Sequence, residues 1–235
     1  MAYFDSSVTA GGTGNANTSV SNNPSTSGFE WAFLVSTTGV DGGLNPHNLS
    51  APNEAGWSVF DSPAFDAPNT RTEYQKVVNS TTLITATQNI DTPAGISWTS
   101  SLSFFGLASG SLPTVVQKKS VTGAWSTDQT FTFNSNLTAG NVILVTHTTS
   151  RVIAAGTGLT VTDTLGQTYP SIVSVGVGNT RQDIWFVAPT LGGADSVTLH
   201  VNGGFFSSAI FIAYELSGLA LLPQGRSFCN PIIGI

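Results

Sequence analysis

Charge is scarce in this chain. Asp, Glu, Lys and Arg make up 9% of its 235 residues, against roughly 25% in an average globular protein. Surface polarity therefore falls to Ser, Thr, Asn and Gln, a style common on extracellular and virion β-proteins. Positive charge is the scarcer sign: 7 Lys and Arg stand against 13 Asp and Glu, for a formal net charge of −6. Nucleic-acid binders draw most of their affinity from Lys and Arg on phosphates, and anionic lipid surfaces attract the same residues. The one basic pair, Lys118-Lys119, supports neither partner. Cys229 is the sole cysteine, so no internal disulfide forms; an inert thiol is the reading. No apolar run approaches the ~18 residues of a membrane-spanning helix. The opening "MAYFDSSVTAGG" has neither the basic region nor the apolar core of an export signal. These absences predict a chain made in a cytoplasm, with no membrane insertion and no nucleic acid.

Catalytic and metal signatures are equally thin. The three histidines, His47, His147 and His200, form no HxH or HxxE pair, and a metal centre wants several His, Cys, Asp or Glu converging. There is no G-x-S-x-G elbow and no phosphate-cradling glycine motif between a strand and a helix. The expectation is a non-enzymatic protein without metal or cofactor. "DTLGQTYP", Asp163 to Pro170, offers oxygens to calcium but holds a single carboxylate. It reads as a hairpin turn begun by Asp163, with Gly166 at the positive-φ position. His147, in "NVILVTHTTS", shares a strand face with Ile143 and Val145; it is expected to pack, one ring nitrogen satisfied by backbone.

What the chain does have is strands. "FTFNSN", "NVILVTHT", "DIWFVAP", "SVTLHVNG" and "SAIFIAYEL" alternate or run apolar between Gly, Asn, Asp and Pro clusters. No stretch sustains a 3.6-residue apolar stripe, so long helices are not expected.

The halves also echo each other. "SVT" recurs from Ser7 to Ser120, "NTR" from Asn69 to Asn179 and "GLA" from Gly106 to Gly218, at offsets of 113, 110 and 112 residues. Whole strands agree as well: "EWAFLVSTTG" matches "NVILVTHTTS", and "TRTEYQKVV" matches "TRQDIWFVA". A period near 110 is of domain size. The prediction is an all-β chain of two tandem antiparallel β-sandwich domains, jelly-roll-like or immunoglobulin-like. The first spans 1–110, a divergent copy, and the second 113–220, with "ASGSLP" between them. An apolar tail, 221–235, follows. Pro223 and Pro231 break that tail, yet it carries Phe228, Ile232, Ile233 and Ile235, the predicted assembly interface. The alternative is that it lies on the domain's own flank. The low-complexity run "GGTGNANTSVSNNPSTSG" reads as a long loop or an arm.

Five tryptophans stand out. Trp31, Trp98 and Trp185 lie within strand patterns and read as core or interface. Trp57 and Trp125 lie near turns and are the candidates for exposed glycan contact. Glu73 and Asp183 follow the two "NTR" elements at matching positions and read as strand-edge charges beside Arg71 and Arg181, of the kind that discourages edge-to-edge pairing.

The second half resembles a small β-sandwich module of phage virion proteins and bacterial surface proteins. The resemblance rests on "DTLGQTY", "RQDIWFV", "GGADSVTL" and "IAYELSG"; "NEAGWS" stands in the first half where "DTLGQTY" would. It implies tandem, non-enzymatic modules on particle or cell surfaces. The expected function is a phage virion structural protein, a capsid decoration, head-fibre or tail appendage subunit. It would assemble in the host cytoplasm with copies of itself and other virion proteins. The alternative is a carbohydrate-binding adhesion module recognising a surface glycan.

Overall fold

A computed structural model of the chain describes residues 4–14, 17–25, 28–40, 48–63, 70–91, 96–149, 152–154, 158–202 and 205–220. The tail, with Phe228, Cys229, Ile232, Ile233 and Ile235, and His47 lie outside them. Every regular element among the described residues is a strand, and every strand pairing is antiparallel. The first half contributes β1 (Phe4–Thr13), β2 (Asn17–Asn22), β3 (Glu30–Val40), β4 (Ser58–Asp61), β5 (Thr70–Val78), β6 (Ile84–Asn89) and β7 (Ile96–Gly106). The second contributes β8 (Thr114–Trp125), β9 (Gln129–Thr132), β10 (Val142–Thr149), β11 (Val152–Ala154), β12 (Thr160–Asp163), β13 (Ser171–Val177), β14 (Thr180–Val187), β15 (Ser196–His200) and β16 (Phe205–Ser217). Part of the low-complexity run expected to be loop or arm is strand: it closes β1 and forms β2, whose Val20 is buried.

The strands stack in four layers. A two-stranded sheet, β2-β6, covers a five-stranded sheet ordered β1-β7-β3-β5-β4. That sheet faces a six-stranded one ordered β11-β16-β10-β14-β13, with β8 also on β16, and a three-stranded sheet β12-β15-β9 covers its far side. Apolar cores fill the three gaps, and a smaller cluster of Leu49, Ile90, Ile96 and Trp98 stands apart from them. Val20, Ala32, Leu34, Ala86 and Phe104 fill the first. Trp31, Phe33, Phe105, Val142, Leu144, Ile184 and Tyr214 fill the middle one. Trp125, Ile143, Val145, Trp185, Leu199 and Phe211 fill the third. Being covered on both faces explains why β10 reads as a near-continuous apolar run: Val142 and Leu144 enter the middle core, and Ile143 and Val145 the outer one. The edge strand β8, by contrast, keeps a polar alternation, with Lys118, Ser120 and Thr122 exposed.

The two large sheets repeat one another strand for strand, β1-β7-β3-β5-β4 against β8-β16-β10-β14-β13. Register gives the offset. Trp31 pairs with Phe105 on β7, and Val142 with Leu216 on β16. Both steps, 31 to 142 and 105 to 216, are 111 residues. Outward from these, Thr37 pairs with Arg71 and Thr148 with Gln182, and Ser7 pairs with Ser103 and Lys118 with Tyr214. All are again 111 apart. The matched pair "EWAFLVSTTG" and "NVILVTHTTS" sits at this offset, whereas the "SVT", "NTR" and "GLA" echoes do not.

A slip of one residue turns a strand's side chains to the opposite face. Arg71 and Glu73 are therefore not the counterparts of Arg181 and Asp183. Their register partners are Gln182 and Ile184. Arg71 and Glu73 point into the seam between the large sheets, where Arg71 reaches Thr146 and Thr148. Asp183 turns the other way, onto His147.

The "GLA" copies have a separate role. Leu107 lies opposite Leu219 in an antiparallel bridge. The Ala108 N–H donates to the Gly218 carbonyl at 3.0 Å, and the Ala220 N–H to the Gly106 carbonyl at 2.8 Å. Each copy of the tripeptide pairs with the other, a reciprocity that a two-fold relation between the halves requires.

Candidate functional site

Charged side chains collect at the seam. On β5, Arg71 and Glu73 form a fully buried ion pair, and the Arg71 guanidinium also donates to Thr146 Oγ1 and Thr148 Oγ1, both at 2.6 Å. Across the seam, Tyr214 of β16 presents one hydroxyl to two carboxylates, Glu73 Oε2 at 2.7 Å and Asp61 Oδ2 at 2.8 Å. Asp61, the last residue of β4, receives Lys118 Nζ from β8 at 2.8 and 2.9 Å. The result is a chain Arg71–Glu73–Tyr214–Asp61–Lys118 that crosses between the two halves three times. Two cations terminate it, two carboxylates lie within it, and a single phenol proton serves both. Burial pushes the Glu73 carboxyl up against the pull of Arg71 and Tyr214. Burial and the Glu73 charge together hold the Tyr214 phenol well above its usual range, so it stays protonated.

The outer end of this chain opens on a cleft of about 320 Å³ lined by Asp61, Ser62, Pro63, Lys118, Ser120, Thr122, Ile210 and Ile212. Lys118 is half exposed at its mouth. The cleft lies between β4 of one half and β8 and β16 of the other.

A second buried polar group sits in the other half. His147 Nδ1 lies 3.2 Å from Asp183 Oδ2, and Asp183 also accepts from Arg181 Nε at 2.8 Å and from Ser174 Oγ at 2.8 Å. His147 is buried as expected, and the partner of its Nδ1 is the Asp183 carboxylate. Glu73 and Asp183 are buried and sit on interior strands of their sheets, which corrects the expectation of strand-edge charges. Burial holds the His147 imidazole below its ordinary range despite Asp183. Burial also pushes the Asp183 carboxyl up, but bonding to His147 and Arg181 outweighs it and the net direction is down.

Both shifts act with the same sign. His147 stays neutral when folded and takes up a proton only on unfolding, so its contribution is complete above the unfolded value of about 6.5 and is lost as pH falls below it. Asp183 contributes above about 3.9 and loses that contribution at lower pH still. Stability is expected to fall between pH 7.5 and 5, by up to about 1.4 kcal/mol per pH unit from His147. Urea unfolding of the parent and of His147→Asn across that interval checks this; equal pH slopes in the two proteins would refute it.

The remaining sequence-picked residues have structural surroundings. Asp163 Oδ1 accepts the Gln167 N–H at 2.9 Å, while Oδ2 accepts Gln167 Nε2 and Tyr169 Oη. Gly166 takes φ 71°. This is a turn, though it links β12 of the outer sheet to β13 of the large sheet rather than closing a hairpin. Trp31, Trp98 and Trp185 are buried. Trp125 is buried in the outer core of its half at 4% exposure, and Trp57 is half-buried beneath Lys76 Nζ, 5.9 Å from its ring. His200 bridges Asp128 and Thr162 on the surface. Sequence reading missed Asp61, Tyr214 and Lys118. Tyr214 and Glu73 are 141 residues apart, and no local pattern announces a contact of that span. The Tyr-Glu pair of "IAYELSG" was the available signal: Tyr214 bridges the halves, while Glu215 accepts from Gln117, Asn141 and the Thr138 N–H, each at 2.7 Å.

Compared with known proteins, the chain matches no family model, no curated sequence and no solved structure.

Proposed function

We propose that the protein is a non-enzymatic structural subunit of a phage virion, a decoration, head-fibre or tail appendage protein that works by assembling with copies of itself and with other particle proteins. The observation that carries this reading is an apolar surface where the described chain ends. Phe29, Leu112, Val115 and Val116 are 48%, 37%, 37% and 47% exposed, four of the seven large apolar side chains exposed among the described residues. The Phe29 carbonyl accepts the Leu107 N–H, and its ring lies against Gly110. The Ala220 N–H donates to the Gly106 carbonyl, which sets the last described residue near this patch. Val115 and Val116 also open β8, whose outer side carries no strand among the described residues. A charge-poor contact face lowers the desolvation cost of association, and apolar anchors supply the core of an interface. Homo-oligomers follow because symmetric particles take symmetric subunits.

Light scattering on the full chain and on a chain ending at Ala220 tests this. The full chain is expected to be an oligomer and the shortened one a monomer. A monomer in both forms would overturn assembly through the tail.

A further inference from the structure

We propose that the polar end of the seam between the two large sheets is a binding site for internal water, held jointly by the two halves. The seam changes character along its length. On β3 the side chains facing it run Trp31, Phe33, Val35 and Thr37, and on β7 they run Phe105, Ser103, Ser101 and Thr99. Aromatic rings fill the roughly 10 Å between packed sheets at one end; at the other, the same faces carry small hydroxyl side chains. Strand register sets three residues there in one row: Thr37 pairs with Arg71 on β5 and with Thr99 on β7. One period of 111 residues on, Thr148 pairs with Gln182 on β14 and with Ile210 on β16. The two rows are counterparts, and hydrogen bonds join them across the seam. Arg71 Nη1 donates to Thr148 Oγ1 at 2.6 Å. Gln182 Nε2 donates to Ser101 Oγ, two residues from Thr99 on the same strand face. Followed in order, these neighbours close a ring: Arg71, Thr37, Thr99, Ser101, Gln182, Thr148.

The atoms left over on this ring define the ligand. Arg71 Nε, Thr37 Oγ1, Thr99 Oγ1 and Gln182 Oε1 have no hydrogen-bond partner among the described residues, and Arg71, Thr37 and Thr99 are 3%, 0% and 0% exposed, with Gln182 at 0%. Buried polar groups are satisfied by protein or by ordered water. The guanidinium N–H only donates, the amide oxygen only accepts, and the two hydroxyls do both. An anion would meet the bare Gln182 oxygen, and the Arg71 charge is already answered by Glu73. A cation would meet the Arg71 guanidinium. Water is neutral, donates and accepts, and is held inside proteins by about two to four such partners. Arg71, Thr37 and Thr99 belong to the first half and Gln182 to the second, so the bound water adds a link between the halves to the direct ones from Arg71 and Gln182. The site lies inside the subunit and does not depend on how the subunit assembles.

The first test is a crystal structure of the full-length protein at a resolution that shows ordered solvent. The expected result is a water within hydrogen-bond distance of Gln182 Oε1 and of the Thr37 or Thr99 hydroxyl. Side chains that satisfy one another directly, or an ion in that place, would overturn the proposal. The second test is oxygen-17 relaxation dispersion in solution, which detects water held inside a protein and is blind to exchanging hydroxyl protons. It compares the full-length parent with Thr37→Val/Thr99→Ile. Valine matches threonine in shape, and isoleucine is the residue that the repeat carries at the counterpart position, Ile210, so the pair fills the space with apolar atoms. A dispersed methyl spectrum shows that the variant is folded; if it does not fold, the crystal structure of the parent decides alone. The dispersion amplitude is expected to fall by the equivalent of a whole water molecule or more, with other internal waters cancelling in the difference. Equal amplitudes in the two folded proteins would refute the site.

Discussion

Glu73→Ala is expected to destabilise the protein by about 3–5 kcal/mol, the usual cost of removing one partner from a buried ion pair. The substitution strands the Arg71 guanidinium in a seam from which water is excluded, with only the Thr146 and Thr148 hydroxyls beside it. It also takes one of two acceptors from Tyr214. For a chain of this length, that loss corresponds to a fall in Tm of roughly 6–20 °C. The double variant Arg71→Met/Glu73→Leu removes both charges and fills the space with apolar atoms. It is expected to recover most of the loss, because a buried pair replaced as a unit is often neutral or stabilising. Thermal unfolding of the three proteins reads the difference directly. A double variant as unstable as Glu73→Ala would show that the cost comes from packing rather than from an orphaned charge.

Trp31→Ala should be comparably severe, at about 3–5 kcal/mol, for a different reason. Trp31 is fully buried in the middle core. Its ring stacks on Phe33 at 4.8 Å and meets Phe105 at 5.2 Å and Phe60 at 5.4 Å. Truncation leaves a cavity shared by both halves and frees the Gln75 oxygen that accepts the indole N–H. The exposed Phe29→Ala is the matched control, expected to stay within about 0.5 kcal/mol. Urea unfolding of both variants is the measurement; a Trp31→Ala loss as small as that of Phe29→Ala would contradict this account of the seam.

These two residues show what was and was not legible in the sequence. Strand identity was legible, because alternation and β-branched runs are local signals. "NVILVTHT" became β10 and "SAIFIAYEL" lies within β16. Correspondence between the halves was legible where long patterns were compared and misleading where tripeptides were. "NTR" at an offset of 110 set Glu73 beside Asp183 as equivalents, and a period of 111 separates them onto opposite faces. The face a strand residue takes was the hardest property to read, since both large sheets are covered on both sides and neither face is marked by polarity. Glu73 and His147 lie within such strands. Their partners Tyr214 and Asp183 come from other strands, so burial and pairing emerged only with the tertiary fold.

The reciprocal Leu107–Leu219 bridge carries a further consequence. A surface that meets a repeat of itself about a two-fold relation is the geometry of a symmetric homodimer, written into one polypeptide. Two separate chains would reach that arrangement only by encounter, and it would dissolve on dilution. Joined by the short stretch between Leu107 and Thr114, the halves face each other at a fixed effective concentration, on the order of millimolar for a short linker. Their docking is unimolecular, and the seam persists however dilute the protein becomes.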